Sequence, residues 1–319
     1  LSGPPPPPGR TAARRGGARP GPGPAPSSAG LRLARRGKHP QPVPTYETPD
    51  EAYALAVEQL DYYRRLNEER EDVTLLHDDD DLNSTLETWE TETPEVGIFV
   101  VMEGADPLRT PDELLWWVER GLRGVGLSWS AGTRYAGGNA QPGGLTDEGR
   151  DLLDAMTDYN LMLDLSHLWI DAAFDALNRY PGPVVVTHTS PRAFVDSPRL
   201  ISDDMIRALA DRGGVAGIVA YNRMLDPEWR FGQPRVPLAR MIQAIDHVCQ
   251  VTGQADFVGI GSDLDGGFGL RSTPAALNSI ADLQKLIAKL NERGYDEGDI
   301  EKIANGDWLR VMHGVLSAM

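Results

Sequence analysis

The sequence predicts an α/β barrel, in which parallel strands form a ring and each is followed by a helix on the outside; three observations carry that prediction. From about Tyr46 onward, short β-like apolar runs alternate with helical patterns, as a parallel sheet covered by helices requires. The runs number about seven or eight, and a chain of 319 residues is within what one such barrel occupies. Side chains able to bind metal or move protons stand just past the runs. A barrel carries its chemistry at the carboxyl ends of its strands, so this placement favours a (β/α)8, TIM-like barrel over an open doubly wound sheet.

The elements follow in order. Thr48-Pro49-Asp50-Glu51 marks a helix start, and Ala52, Leu55, Ala56, Leu60 and Tyr63 continue it at helical spacing. Val73-Thr74-Leu75-Leu76 reads as a strand. Apolar runs then pair with helical patterns: 96–102 with 111–120, 124–127 with 146–159, 161–165 with 170–179, 184–187 with 202–212, and 215–220 with 237–252. The run 257–261 leads to a last pair of helices at 275–293 and 297–316.

Composition narrows the function classes. At 40% hydrophobic and 24% charged the chain can bury a sizeable core, and it has no uninterrupted apolar run of membrane-spanning length. A formal net charge of −16 opposes nucleic-acid binding, which depends on Lys and Arg neutralising phosphates, but is compatible with cationic metals. The single cysteine, Cys249, has no partner for an internal disulfide and no Cys-His signature around it, and reads as a small buried hydrophobe. With no apolar signal core in view, a cytoplasmic location is expected.

Residues 1–44 differ from the rest. Pro4 to Pro8 run together, eight of the 31 basic residues lie here, and no acidic residue precedes Glu47. Such a stretch builds no core and is read as a disordered tail before a domain at 45–319. A proline-rich ligand, an Arg-rich targeting peptide, a solvated segment, and a truncated or mistranslated stretch of GC-rich DNA all remain open readings.

Four runs end on chemistry-bearing residues. Glu103 follows Val100-Val101-Met102, His167 follows the run 161–165, His188 follows Val184-Val185-Val186, and Asp263 follows Val258-Gly259-Ile260-Gly261. A lone His after a strand is most often structural. Two of the six histidines with a Glu and an Asp on one rim instead form an imidazole and carboxylate set suited to Zn²⁺ or a similar divalent ion. Such a site implies hydrolysis by metal-activated water, with Asp263 as candidate proton carrier.

At these residues the chain resembles the membrane dipeptidase (renal dipeptidase) family of dinuclear zinc peptidases, from about Tyr46 to the C-terminus. Its most specific stretches are Gly143-Gly144-Leu145-Thr146 leading to Asp164-Leu165-Ser166-His167, Val186-Thr187-His188-Thr189-Ser190, and 259–266. The resemblance implies a metal-dependent hydrolase barrel that cleaves small dipeptides and forms a homodimer. It implies Glu103 as a bridge between two zinc ions, His167 and His188 as ligands of the second, and Asp263 in proton transfer. Arg199 falls where the family grips the substrate carboxylate, which suits a guanidinium fork.

The chain also departs from the family pattern. The family's first strand ends on a His-x-Asp pair that binds the first zinc, upstream of the helix beginning near Thr48. In residues 1–44, His39 is followed by Pro40-Gln41, and Gln41 offers no carboxylate, so the first strand is expected to be absent or replaced. His77-Asp78-Asp79 follows the first helix and reads as a solvated acidic loop. Trp129 stands where many members place a substrate-contacting His, and offers an apolar wall with one indole donor. Three functions follow: an active metallodipeptidase, a catalytically impaired member holding one zinc or none, or a related barrel hydrolase acting on another amide or lactone.

Overall fold

The computed structural model describes residues 29–32, 34–35, 45–264 and 266–318. Seven strands form one parallel sheet: β1 (Ala29–Arg32), β2 (Val100–Glu103), β3 (Leu122–Gly126), β4 (Met162–Asp164), β5 (Val184–Thr189), β6 (Ala216–Ile218) and β7 (Val258–Ile260). Their order in the sheet is their order in the chain. Among the described residues the order has no reversal point, so the winding is that of a barrel and not of a doubly wound sheet. Among the described residues no strand pairing joins β7 to β1. The indole N–H of Trp308 donates to the Ile260 carbonyl at 3.1 Å, so a C-terminal helix meets the β7 strand.

Of the segment expected to be a tail, 29–32 and 34–35 are strand, and β1 pairs residue for residue with β2. The remainder of 1–44, including His39 and Gln41, lies outside the described residues. The short run Ala29-Gly30-Leu31 is hidden by the proline and arginine around it.

Local chemistry explains the helices. In α1 (Pro49–Glu69) Thr48 caps the Glu51 amide and the Glu51 carboxylate returns to the Thr48 amide, while Ala52, Ala56, Leu60 and Tyr63 form the buried stripe. The acidic run after His77 is not a loop: Asp78 caps α2 (Asp79–Thr88), accepting from the Asp81 amide at 3.0 Å. Carboxylates in a first helical turn are favoured by the unpaired amides and the positive end of the dipole. His77 hydrogen-bonds through its carbonyl to Arg123 at the amino end of β3, the end away from Glu103 and Gly126.

The two last helices are more broken than their periodicity predicts. The first regular turn after Pro274 is a 3₁₀ segment at Ile280–Leu283, capped by Ser279, before the helix Gln284–Arg293. The final one divides into Glu297–Glu301, a π-turn at Lys302–Gly306 and Asp307–Leu316.

Asp307 is buried at the start of that last helix, 3.1 Å from an Arg310 guanidinium nitrogen, and burial pushes its carboxyl up to about 6. Between the ordinary Asp value of about 4 and this raised one, the folded state holds a proton that the unfolded chain has released. Asp307 therefore costs stability above pH about 6, and the cost fades as the pH falls toward about 4. Asp307→Asn is expected to raise the urea midpoint at pH 7 and to give no gain at pH 4. An equal gain at both pH values excludes this account.

Candidate metal centre

The register brings the strand ends into line. Glu103 pairs with Gly126, Gly126 with Asp164 and Asp164 with Val185, so one row crosses β2 to β5 with a glycine between its two carboxylates. Gly104, at a φ of 87°, turns the chain after Glu103. His188 belongs to β5 itself, whereas His167 lies three residues past β4 with a φ of 68°, left-handed backbone that a side chain adopts only under constraint.

Glu103, His167 and His188 converge, all three largely buried. Glu103 Oε1 lies 3.1 Å from His167 Nε2 and 3.2 Å from His188 Nε2, and the two imidazole nitrogens are 3.0 Å apart. His167 Nε2 is flanked by the Glu103 carboxylate on one side and by Arg199 Nη2, 3.2 Å away, on the other. His167 Nδ1 lies 3.0 Å from Asn139 Oδ1. Burial, then the Arg199 charge, hold the His167 imidazole well below its usual pKa against the pull of Glu103, which keeps it neutral.

His188 is set on its other side by a hydroxyl. Its Nδ1 is 2.9 Å from Thr187 Oγ1, and that hydroxyl donates to Asp164 Oδ2 at 2.6 Å. Asp164 Oδ1 accepts from the backbone amides of Ser166 and Thr187. Both imidazoles thus turn Nε2 toward a carboxylate oxygen of Glu103. Donor atoms about 3.1 Å apart subtend roughly 100° at an ion about 2.0–2.1 Å from each, near the tetrahedral angle that zinc-like ions take. These three residues fit a divalent cation.

The other expected residues take different positions. Arg199 donates to the His188 carbonyl at 2.9 Å and lies at the triad's edge. The Trp129 ring lies 5.8 Å from that of His167, at a tilt of 42°. Asp263, at a φ of 50°, follows β7, two strands across from His188 or about 10 Å along the sheet. It adds to the upward shift that burial imposes on the Tyr221 hydroxyl, whose ring stacks on Phe268 at 4.5 Å. Asp164, Thr187, Ser166 and Asn139 carry the support of the centre; the sequence places the first three in its strand-end motifs and gives none of the four an individual role. The available signal was a strand-end Asp three residues before one His and a Thr directly before the other. Asn139, 28 residues from His167, gives none.

The family model for membrane dipeptidase (peptidase family M19) matches residues 39–318. An uncharacterised Klebsiella pneumoniae protein from the pqqA 5′ region is 32% identical over 203 residues, 61% of this chain and 73% of its own. Mouse dipeptidase 3 is 26% identical over 86% of this chain, which spans only 54% of that relative. Among solved structures, the metallopeptidase dipeptidase AC superposes with a TM-score of 0.76 at 23% identity, covering 86% of this chain and 81% of its own. A metallopeptidase from Rhodobacter sphaeroides, liganded with a phosphinate mimic of L-Ala-D-Ala, gives 0.75 at 23% identity over 86% and 78%. These neighbours share the TIM-barrel-like architecture, and the chain is a member of the membrane dipeptidase family of metallopeptidases, M19.

Proposed function

We propose that this chain hydrolyses the peptide bond of small dipeptides, with a zinc ion held by Glu103, His167 and His188. The observation that carries this reading is the triad of two imidazole nitrogens and one carboxylate oxygen within 3.2 Å of one another. A metal bound there supplies Lewis acidity, which lowers the pKa of water and polarises the scissile carbonyl. Arg199 holds the substrate carboxylate through its guanidinium fork. Asp263 takes the proton from the attacking water and returns it to the leaving amine. Trp129 forms an apolar wall that excludes solvent and selects among dipeptide side chains. The protein acts as a homodimer, as the family resemblance implies.

The experiment is metal content and turnover on the purified full chain. With L-Ala-D-Ala as probe, zinc-loaded protein is expected to release free alanine, to lose that activity to a chelator and to regain it with Zn²⁺. Loaded protein that releases nothing overturns the reading. A second reading, an impaired family member with a partial site, is favoured by the missing His-x-Asp: among the described residues the metal-holding group contains only Glu103, His167 and His188. One ion bound without turnover supports it.

A further inference from the structure

Resting on the reading of Glu103, His167 and His188 as a metal centre, we propose that Asp164 is a positioning residue. Acting through the Thr187 hydroxyl, it holds His188 in the one tautomer able to bind metal.

The hydrogen-bond valences of the cluster lead there. Thr187 Oγ1 has one proton and two lone pairs. It has three neighbours: Asp164 Oδ2 at 2.6 Å, His188 Nδ1 at 2.9 Å and Ser166 Oγ at 3.2 Å. An ionised carboxylate is the strongest acceptor of the three, and the shortest contact is to it, so the hydroxyl proton goes to Asp164. Thr187 Oγ1 then accepts from both other groups, and the ring proton of His188 is on Nδ1. Ser166 Oγ in turn accepts from the His188 amide at 3.3 Å, so each donor in the cluster has one acceptor.

In the opposite tautomer His188 Nδ1 would have to accept. The Thr187 proton would turn away from Asp164, leaving one oxygen of a buried carboxylate unserved, and a proton would occupy Nε2, where the ion belongs; Glu103 Oε1, 3.2 Å from that nitrogen, competes with the relay for the ring proton, at a longer contact than the 2.9 Å between Nδ1 and Thr187 Oγ1. The relay differs from the usual direct carboxylate–imidazole contact in that a hydroxyl carries the carboxylate's preference across one residue.

Asp164→Asn reverses the relay. The Asn oxygen stays with the Ser166 and Thr187 amides, which bond to Asp164 Oδ1 at 2.9 and 3.0 Å, and its NH₂ therefore faces Thr187 Oγ1. The hydroxyl must then accept from Asn, so its proton points at His188 Nδ1. The ring proton is driven to Nε2. Thr187→Val removes the hydroxyl at nearly constant volume, and Thr187→Ser keeps it.

The experiment uses two readouts on the full chain. The first is the tautomer of His188 in metal-free protein, from long-range ¹H–¹⁵N correlation. Wild type and Thr187→Ser are expected to carry the proton on Nδ1, Thr187→Val to show a mixture, and Asp164→Asn to carry it on Nε2. The second is Zn²⁺ affinity by chelator competition, expected to fall about 10–100-fold in Thr187→Val and Asp164→Asn and to hold in Thr187→Ser. A wild-type His188 protonated on Nε2 overturns the proposal without any variant having to fold. Wild-type affinity in Thr187→Val with an unchanged tautomer also overturns it. Wild type that carries the Nδ1 proton and takes up no Zn²⁺ separates the cases: the metal-centre reading fails while the relay stands.

Discussion

Glu103→Gln is expected to abolish stable metal binding and, with it, dipeptide hydrolysis by about a thousandfold or more, since each 1.36 kcal/mol of lost transition-state stabilisation is tenfold in rate. Glu103 Oε1 lies within 3.2 Å of both imidazole Nε2 atoms, so losing its charge weakens two edges of the triangle at once. The amide keeps the shape of the side chain and loses the anionic charge, and a protein site must supply enough donors to displace the ion's water. The metal-free variant should be no less stable than metal-free wild type, because a buried carboxylate charge is replaced by a neutral group. The distinguishing measurement is the rise in Tm on adding Zn²⁺, which linkage requires of any ligand that binds only the folded state. It should be present in wild type and absent in Glu103→Gln. An unchanged metal content would sink the assignment of this residue.

The second large effect lies in the backbone below the site. A Cβ added to Gly261 would lie 2.0 Å from the Thr187 carbonyl oxygen and 2.7 Å from Gly217 Cα, and one added to Gly217 would lie 2.1 Å from the same oxygen. Three chain segments, at the ends of β5, β6 and β7, thus meet at a point that admits no methyl group. Relief requires movement of main chain, not of a flexible side-chain tip, so the cost belongs at or above the upper end of overpacking, about 3 kcal/mol. Gly261→Ala is expected to lose that much in urea unfolding or to fail to accumulate as folded protein. Gly144→Ala, where nothing lies within 4 Å of the added carbon, is the control. A Gly261→Ala protein within 0.5 kcal/mol of wild type would show that the sheet ends slide apart more freely than their contacts imply. Any folded variant should also bind Zn²⁺ less tightly, because Thr187 moves His188 with it.

The parts of this centre that were legible in the sequence share one property. Glu103, His167 and His188 each close a hydrophobic run, so the barrel rule points to them before any contact is known. Asp164 and Thr187 belong to the same motifs but receive no role of their own, because hydroxyl relays leave no periodic signal. The acidic run from Asp78 was misread for the opposite reason: charge density signals solvent, and only the cap geometry, Asp78 accepting from the Asp81 amide, separates a helix start from a loop. The left-handed backbone at His167 and Asp263 was likewise invisible, since neither position holds glycine. The strand at Ala29–Arg32 was lost within a composition that suppresses every strand cue.

The position of Arg199 has a thermodynamic consequence. Its guanidinium lies 3.2 Å from His167 Nε2, an atom a cation would need, while also donating to the His188 carbonyl. A divalent ion at the triad would repel that charge. If Arg199 holds a substrate carboxylate as proposed, ion and substrate would be heterotropically linked, each changing the affinity of the other by the same factor.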